Sequence, residues 1–339
     1  MDKPTVDVVI LNYNTRDILA QCIPNVLKYS QGEHVRIVLA DNCSTDGSIE
    51  FARITFGEQL DYIEIPENLG FAGGYNYALA QCSSDYFLLL NSDAEPAHDE
   101  WLDELIEASQ QPHFAAAQPK ILDYNQRNQF EYAGANGGFM DPYGFPFCRG
   151  RIFGNVETDT QQYDEPMEIF WASGAALFVK REAWEKAGGL DDIFFAHMEE
   201  IDLCWRLKNL GYKIYSVPSS RVFHMGGATL SNQSPRKTFL NFRNGLLMMH
   251  KNLEEDKRDR IIFQRKLFDG LAGVFFLIQG KFQHTVEIIK AHRAFDKIKI
   301  EFHSDTPKKD IKSHAGVITD SLVIGYFFKG KRTWNRWFR

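Results

Sequence analysis

The chain has 339 residues, of which 44% are hydrophobic and 24% charged, the composition of an ordinary globular protein rather than a disordered or fibrous one. Its five cysteines are odd in number and lack CxxC or zinc-ligand spacing, which favours a reducing cytosol. A charged leader followed by an apolar core is missing, and the apolar runs are far shorter than the roughly 20 residues of a spanning helix. We therefore expect a cytoplasmic protein.

The net charge of −7 conceals an asymmetry between the two ends of the chain. Residues 1–234 carry 16 Lys and Arg against 34 Asp and Glu, whereas residues 235–339 carry 22 against 11. The acidic first part argues against nucleic acid as a partner. The basic second part suits an anionic membrane surface, or alternatively the acidic part itself, within one chain or across a homodimer.

Strands and helices are predicted to alternate over the first hundred residues. The strands are continuous apolar runs, typical of buried parallel strands, and the helices repeat apolar residues at helical spacing. The predicted strands cover 6–11, 35–40, 60–65 and 86–90, and the helices cover about 18–27, 49–54 and 71–82, the second with Asp46 at its N-cap. This order predicts an α/β fold with a mostly parallel sheet between helices.

The second half of the chain is less regular at first. Residues 120–170 lose the periodicity, and we expect an irregular excursion that could shape a binding pocket. Order returns with a strand at 174–180, helices at 181–187 and about 197–209, and strands at 212–217 and 221–224. Beyond Pro235 the pattern is helical and basic. We predict one sheet domain over 1–232, with halves at about 1–118 and 119–232, and a mainly helical region over 233–339.

Polar residues follow each of the first four predicted strands. Because ligands of open α/β sheets gather at the carboxyl ends of the strands, these residues predict a binding site there. They are Asn12 and Asn14, Asp41 and Asn42, Glu67 and Asn68, and Asn91 and Asp93. An acid at the position of Asp93 could hold a divalent cation against a diphosphate, and its hard oxygen ligands suit Mg²⁺ or Mn²⁺. The alternative is that Asp93 caps a helix before Pro96.

Three carboxylates open the helix predicted near residue 197. Asp202 and Arg206 form an i,i+4 ion pair, which explains Asp202 without catalysis. The adjacent Glu199 and Glu200 are harder to explain structurally, because their mutual repulsion raises one pKa and gives no stability. A raised pKa suits a general base for a hydroxyl group.

Two further features are ambiguous on their own. His224 ends a strand before Gly226 and Gly227, where it could bind a metal or a phosphate, although such a histidine is more often structural. The glycines at 70, 73 and 74 lack the GxGxxG spacing of a dinucleotide site, so they allow close packing or approach to a ligand. The GxSxG, HExxH and P-loop patterns are missing.

Taken together, these motifs resemble glycosyltransferase family 2, and among its members the bacterial rhamnosyltransferases that build surface polysaccharides. The resemblance covers roughly residues 5–230. It rests on Asn12-Tyr13-Asn14, the runs 41–48 and 67–76, Asn91-Ser92-Asp93, and the runs 171–175, 188–191 and 199–206.

This resemblance implies a GT-A fold and an inverting hexosyltransferase, which moves a sugar from a nucleoside-diphosphate donor to a hydroxyl of a saccharide or lipid-linked saccharide. By position, Asp41 would hold the nucleoside, Asp93 and His224 the metal, and Glu200 would be the catalytic base. The other implied catalytic residues are Glu199 and Asp202; the other donor-binding residues are Asn12, Asn14, Asn68, Gly70, Asn76, Asn91 and Ser92; acceptor binding falls to Trp171 and Gly174. Asn91 departs from the family's DxD motif, which leaves metal dependence less certain than the fold.

Two other functions stay open at this point. A nucleotidyltransferase can use a similar sheet, but it usually carries a glycine-rich basic loop where this chain has LNYNTRD. A protein that binds a sugar nucleotide without turnover is the third option. The segment 326–339, with six aromatic residues, five basic residues and no acid, predicts peripheral contact with the inner face of the cytoplasmic membrane. Its alternative is a core or dimer contact.

Overall fold

The computed structural model describes residues 3–226, 234–299 and 306–338. Its strands are β1 (Val6–Asn12), β2 (Val35–Asp41), β3 (Asp61–Glu64), β4 (Tyr86–Asn91), β5 (Ala94–Pro96), β6 (Phe114–Asp123), β7 (Gly138–Met140), β8 (Pro146–Cys148), β9 (Arg151–Ile152), β10 (Asn155–Val156), β11 (Met167–Ile169), β12 (Ala176–Lys180) and β13 (Lys213–His224). Its α-helices are α1 (Arg16–Tyr29), α2 (Ser48–Phe56), α3 (Gly70–Leu79), α4 (Trp101–Ala108), α5 (Arg181–Ala187), α6 (Glu199–Asn209), α7 (Pro235–Asn252), α8 (Glu255–Ile278), α9 (Phe282–Ile298) and α10 (Leu322–Phe327).

The main sheet confirms the predicted α/β fold. Its strands lie in the order β11-β13-β6-β12-β4-β1-β2-β3, and β5 pairs with β13. The strands β3, β2, β1 and β4 are parallel to one another, and β13 is parallel to β6, whereas β12 runs antiparallel to both β4 and β6. The parallel half therefore comes from the βα units of the first hundred residues, and the second half of the chain extends the same sheet.

Both faces of the central strands are buried, which explains their unbroken apolar sequence. On β1, Val8 packs into the core under α1, α2 and α4, while Val9 packs on the opposite side with α3, α5 and α6. On β4, Leu88 and Leu89 divide between the same two cores. The sheet is therefore the middle of three layers.

Three sequence predictions need correction. Residues 120–170 are not an irregular excursion: they include the end of β6 and a second sheet in the order β10-β9-β8-β7, whose strands of two or three residues are too short to show a period. The strands expected at 212–217 and 221–224 form one strand, β13, with a register shift between Val217 and Arg221. The N-cap of α2 is Gly47 and not Asp46. The Asp46 carboxylate, one residue earlier, accepts the amides of Ser48 and Arg16.

The basic C-terminal region is helical, as predicted, and it shares one apolar core with the second half of the sheet domain. Arg265 of α8 donates to the carbonyl of Gly144 at 2.8 Å, and the amide of Leu322 donates to Asp141 at 2.9 Å. Trp334 packs against Phe139, with ring centroids 4.2 Å apart. The boundary predicted near 232 lies outside the described residues, so the division into domains stays a prediction.

A buried cluster of charges joins α6 to α7. Asp202 is fully buried; it accepts from Arg206 at 2.8 Å, from Lys251 at 2.9 Å and from Asn252 at 2.7 Å. Burial alone would raise the pKa of Asp202, but the two cations lower it below its ordinary value. The carboxylate is thus kept ionised, and it fixes the first turns of α6 against α7.

Replacement of Asp202 by alanine should destabilise the protein strongly, because Arg206 and Lys251 would lose a shared buried partner. We expect the free energy of unfolding, measured by urea denaturation, to fall by about 3–5 kcal/mol. Glu182→Ala is the matched control: it removes a carboxylate that pairs with Lys186 on the exposed face of helix α5, and no measurable change is expected. An Asp202→Ala protein as stable as the parent would contradict the structural role.

Candidate active site

The register of the parallel strands brings the predicted polar strand ends together. Asn12 of β1 lies opposite Asp41 of β2, and Leu11 lies opposite Asn91 of β4. The Asn12 amide donates to the Asp41 carboxylate at 2.6 Å, and the Thr15 hydroxyl bridges Asn12 and Ser92. Three strand ends therefore form one hydrogen-bonded edge, as the sequence predicted.

The loop after β2 closes one side of this edge. The second oxygen of Asp41 accepts the amide of Ser44 at 2.9 Å, and the Ser44 hydroxyl accepts the amide of Asn14. Asn14 in turn accepts the amide of Thr45 at 2.7 Å and has a positive φ of 54°. An open groove of about 570 Å³ lies beside this loop; it is lined by Arg16, Ser44, Thr45, Gly47, Glu50, Phe51 and Ile54.

The loop after β3 lies next to Asn42 and reaches the second half of the domain. The Asn42 amide donates to Asn68 and to the carbonyl of Gly70, so Asn68 sits at the predicted edge with its side chain exposed. Gly70 has a positive φ of 71°, and a Cβ there would lie 2.6 Å from the ring and carbonyl of Phe195. Gly70 is therefore needed for the close approach of this segment.

The predicted metal residues, Asp93 and His224, are in direct contact at the end of β4 and β13. Nε2 of His224 lies 3.0 Å from the Asp93 carboxylate and 3.3 Å from the Asn91 amide, and Nδ1 lies 3.4 Å from Glu131. All three ionisable side chains are buried. Burial alone would lower the pKa of His224, but Asp93 and then Glu131 raise it to about 10. In turn, His224 outweighs burial and lowers the pKa of Asp93.

The pKa of Asp93 is lowered, whereas both acids at the start of α6 have raised pKa values. Burial and the charge of the neighbouring Glu200 raise the pKa of Glu199 well above its ordinary value. Burial also raises the pKa of Glu200 to about 7, although hydrogen bonds from backbone amides act to lower it. In both side chains Oε2 is buried without a hydrogen-bond partner among the described residues. Buried polar atoms are normally paired, so two adjacent exceptions mark a functional candidate.

Several contacts connect the acid pair with the strand ends. A Cβ at Gly174 would lie 3.8 Å from Cβ of Glu200, and the next carbonyl, of Ala175, accepts the amide of Asn91 at 3.0 Å. Burial raises the pKa of the Cys148 thiol to about 11, and the charges of both Glu131 and Glu200 act in the same direction. These contacts place Glu200 beside the segment that leads into β12, the strand paired with β4, whose end carries Asn91.

Other predicted site residues have their polar groups engaged within the protein. Asp202 is held by Arg206, Lys251 and Asn252, which places it outside the groups that could act as a base. The Asn76 amide bonds to Leu190 and Asp192, and the Trp171 indole donates to the carbonyl of Phe139 at 3.0 Å. The contacts of these three residues favour structural roles over the catalytic, donor-binding and acceptor-binding roles predicted for them.

Glu131 is the site residue that sequence reasoning missed. It lies between β6 and β7, contacts His224, and accepts the amide of Ala133 at 2.5 Å. Burial lowers the pKa of Lys237 on α7, an effect that the Glu131 charge opposes, so a cation from the C-terminal region also lies near. No motif marks Glu131; the only signal is an acid directly after the buried Phe130.

Known proteins resemble this chain in sequence and in fold. The O-antigen biosynthesis protein RfbC of Myxococcus xanthus is 24% identical over 236 residues, 67% of this chain but 18% of that protein. The N-acetylglucosaminyl-diphospho-decaprenol L-rhamnosyltransferase of Mycobacterium tuberculosis is 30% identical over 212 residues, 56% of this chain and 66% of that protein. The chain thus spans less than two thirds of the length of either relative.

The fold is that of GT-A glycosyltransferases. The mannosyltransferase PcManGT from Pyrobaculum calidifontis, solved with GDP-Man and Mn²⁺, matches with a TM-score of 0.54 and 13% identity, covering 87% of this chain and 88% of that one. At this identity the likeness speaks for the fold alone. The family model described as Glycosyl transferase family 2 matches residues 7–180, more than half of the chain. This chain therefore belongs to glycosyl transferase family 2.

Proposed function

We propose that the protein is an inverting glycosyltransferase, which transfers a sugar from a nucleoside-diphosphate donor to a hydroxyl of an acceptor in polysaccharide synthesis. The observation that carries this proposal is the acid pair of Glu199 and Glu200, in each of which Oε2 is buried without a hydrogen-bond partner among the described residues, together with the contact between Asp93 and His224. A protein that only bound the donor would have no use for a carboxylate kept basic by burial.

Glu200 is the proposed base because it is the more accessible of the two acids. Glu199 is 3% exposed, whereas Glu200 is half-buried and faces the backbone of Gly174, where a side chain would otherwise stand. A carboxylate whose pKa is about 7 can take the proton of an acceptor hydroxyl as its oxygen attacks the anomeric carbon. Burial and the charge of Glu200 raise the pKa of Glu199 well above its ordinary value, so Glu199 would hold its proton and act as a positioning residue.

Once the His224 imidazole gives up its proton, Asp93 and His224 have a donor set that fits a divalent cation. One carboxylate and one imidazole suit Mn²⁺ better than Mg²⁺, which prefers oxygen ligands alone. The donor diphosphate would supply further oxygens, and the bound cation would stabilise its departure. Glu131 contacts the other ring nitrogen of His224 and would hold the imidazole in place. PcManGT was solved with Mn²⁺ and GDP-Man, which supports the same class of cofactor and donor here.

The sugar and the acceptor are proposed from the relatives. The mycobacterial relative is named as a rhamnosyltransferase that acts on a decaprenol-linked diphosphate sugar, and RfbC is named for O-antigen biosynthesis. We therefore propose a rhamnosyl donor and a lipid-linked saccharide acceptor. Asp41 and the groove beside Ser44 are the proposed seat of the nucleoside, because both lie at the carboxyl edge of the sheet.

The first test replaces the proposed base. Glu200→Gln should lower kcat by about 10²–10⁴-fold, because an amide cannot accept the hydroxyl proton. In the parent protein, the transfer rate should rise with pH through about 7, since the base works only when ionised, and this inflection should be lost in the variant. The measurement is initial rate against pH with a nucleotide-sugar donor.

Glu199→Gln is the matched control, since it removes the adjacent carboxyl group and leaves Glu200 in place. Its pH profile should keep the inflection near 7, because burial raises the pKa of Glu200, and kcat should fall less than in Glu200→Gln. If Glu199→Gln abolished turnover while Glu200→Gln retained it, the roles would be exchanged. If neither variant lost activity, the general-base mechanism would be wrong.

The second test concerns the cation. Binding of Mn²⁺ in the presence of a nucleoside diphosphate, followed by electron paramagnetic resonance, should be lost in Asp93→Ala. It should weaken about 10–100-fold in Glu131→Gln, because outer partners of a metal ligand tune affinity by that amount. Glu100→Gln, at an exposed carboxylate outside the site, should bind Mn²⁺ like the parent. Unchanged binding in Asp93→Ala would refute the assignment.

A further inference from the structure

The hairpin formed by α8 and α9 exposes an unusually apolar end. We call this end the hairpin tip, residues 271–289. Its exposed large side chains include Ile278, with 78% of its surface accessible, and Phe282, with 64%. The full set is Leu271, Val274, Phe275, Leu277, Ile278, Phe282, Val286 and Ile289. Large contiguous apolar patches are rare on the surfaces of monomeric proteins and mark interaction sites.

The inner side of the same hairpin is already packed, so the exposed apolar side chains are not needed to fill the core between α8 and α9. Ile288 is buried between the helices, and the Thr285 hydroxyl donates to the carbonyl of Gly273 at 2.9 Å. Gly280, with a φ of 74°, turns the chain between the helices, and the amide of Lys281 donates to the carbonyl of Phe276. The exposed apolar side chains point away from this closed contact.

The short helix α10 continues the apolar surface. The rings of Phe275 and Phe327 have centroids 6.2 Å apart, and Phe328 is 79% exposed. Ile324 is exposed on the same helix. The hairpin tip and α10 therefore form one surface built from two separate parts of the C-terminal region.

The polar residues around this surface are basic. Residues 270–286 and 321–338 contain no Asp or Glu. They carry Lys281, Lys329, Lys331, Arg332 and Arg336. Exposed rings and aliphatic side chains beside lysine and arginine are the pattern of a protein face that lies in the headgroup region of an anionic bilayer.

We propose that the hairpin tip and α10 dock the protein on an anionic lipid bilayer, with Ile278, Phe282 and Phe328 inserted below the headgroups. Among the described residues, no helix is both long and apolar enough to cross a membrane, so the contact is made from one side. A second copy of the chain fits this surface less well. Two such faces would bring Lys281, Lys329 and Arg336 of both copies together, and the nearby acids Glu287 and Asp320 already pair with Lys290 and Lys331.

This docking face differs from the one that the sequence predicted. Of the aromatic residues in 326–339, Trp334 is buried against Phe139, and Trp337 packs its indole against Gly325. Phe327 and Phe328 stay exposed. Part of the segment thus packs into the core, one of its predicted alternatives, and most of the exposed apolar surface comes from the hairpin tip instead.

Rigid contacts connect the docking face to the active site. Arg265 ties α8 to the carbonyl of Gly144, and Lys251 ties α7 to Asp202, three residues after Glu199. Docking would therefore hold the site at a fixed height above the bilayer. A fixed height matters only if the acceptor is linked to a lipid, so this consequence rests on the proposed function. The proposed contact with lipid does not depend on that function.

Co-sedimentation with vesicles tests the docking face. The full chain should bind phosphatidylcholine vesicles that contain about 30 mol% phosphatidylglycerol, and high salt should weaken binding. The variant Ile278→Ser, Phe282→Ser, Phe328→Ser should bind about tenfold or more weakly, because inserted apolar surface is lost. Ile54→Ser, at an isoleucine of α2 that is 86% exposed, should bind like the parent. A second variant, Lys281→Gln with Lys329→Gln, should lose affinity for the anionic vesicles.

Donor hydrolysis without vesicles separates this proposal from the proposed function. The triple serine variant should hydrolyse a nucleotide sugar at the parent rate. An inactive parent protein that still bound vesicles would refute the enzyme and leave the docking face intact. Equal vesicle binding by the parent and the triple variant would overturn the docking face, as would a parent protein that does not bind vesicles. The docking face would likewise be overturned if the parent protein did not bind lipid but formed a dimer, seen by light scattering, that the triple variant dissociated.

Discussion

The buried carboxylate of Asp202 is the contact on which the proposed catalytic acids depend. It is paired with Arg206 and Lys251, so the protein compensates the cost of burying that charge. Three positions earlier, Glu199 is buried, and its Oε2 has no hydrogen-bond partner in the part of the chain that the structure describes. The rigid attachment of α6 to α7 keeps Glu199 and Glu200 from turning into solvent, where their pKa values would return to normal. The ion pairs that stabilise the Asp202 carboxylate thus hold Glu199 and Glu200 in an environment that disfavours their ionised forms.

The two sides of the site arise from different ranges of the chain. Asn12, Asp41 and Asn91 meet because parallel strands in register end at one edge, a geometry set by local βα units. Glu131 and His224 reach the same region only through β6 and β13, which pair in parallel although they are far apart in sequence. The proposed donor-binding edge is therefore built locally, whereas the contacts of His224 with Asp93 and Glu131 depend on long-range folding.

This difference explains what could be predicted from the sequence. The unbroken apolar runs of β1 and β4 and the polar residues after them identified the sheet and its edge, because burial on both faces leaves a local pattern. The strands β7–β10 left no such pattern, since two or three residues have no period. Glu131 was missed because its role comes only from a contact with His224, and the structural roles of Asp202 and Trp171 come from equally distant partners.

The formal charges around Asp93 favour the proposed entry of a cation together with the donor. Asp93 and Glu131 are balanced by His224 and by Lys237, so this side of the site has no net positive charge for a diphosphate. Ionised Glu200 adds a negative charge on the acceptor side. A diphosphate that entered alone would meet carboxylates in a region of low dielectric, where repulsion is poorly screened. A divalent cation held by Asp93 and by His224, which would give up its proton on binding, would bring positive charge to the diphosphate.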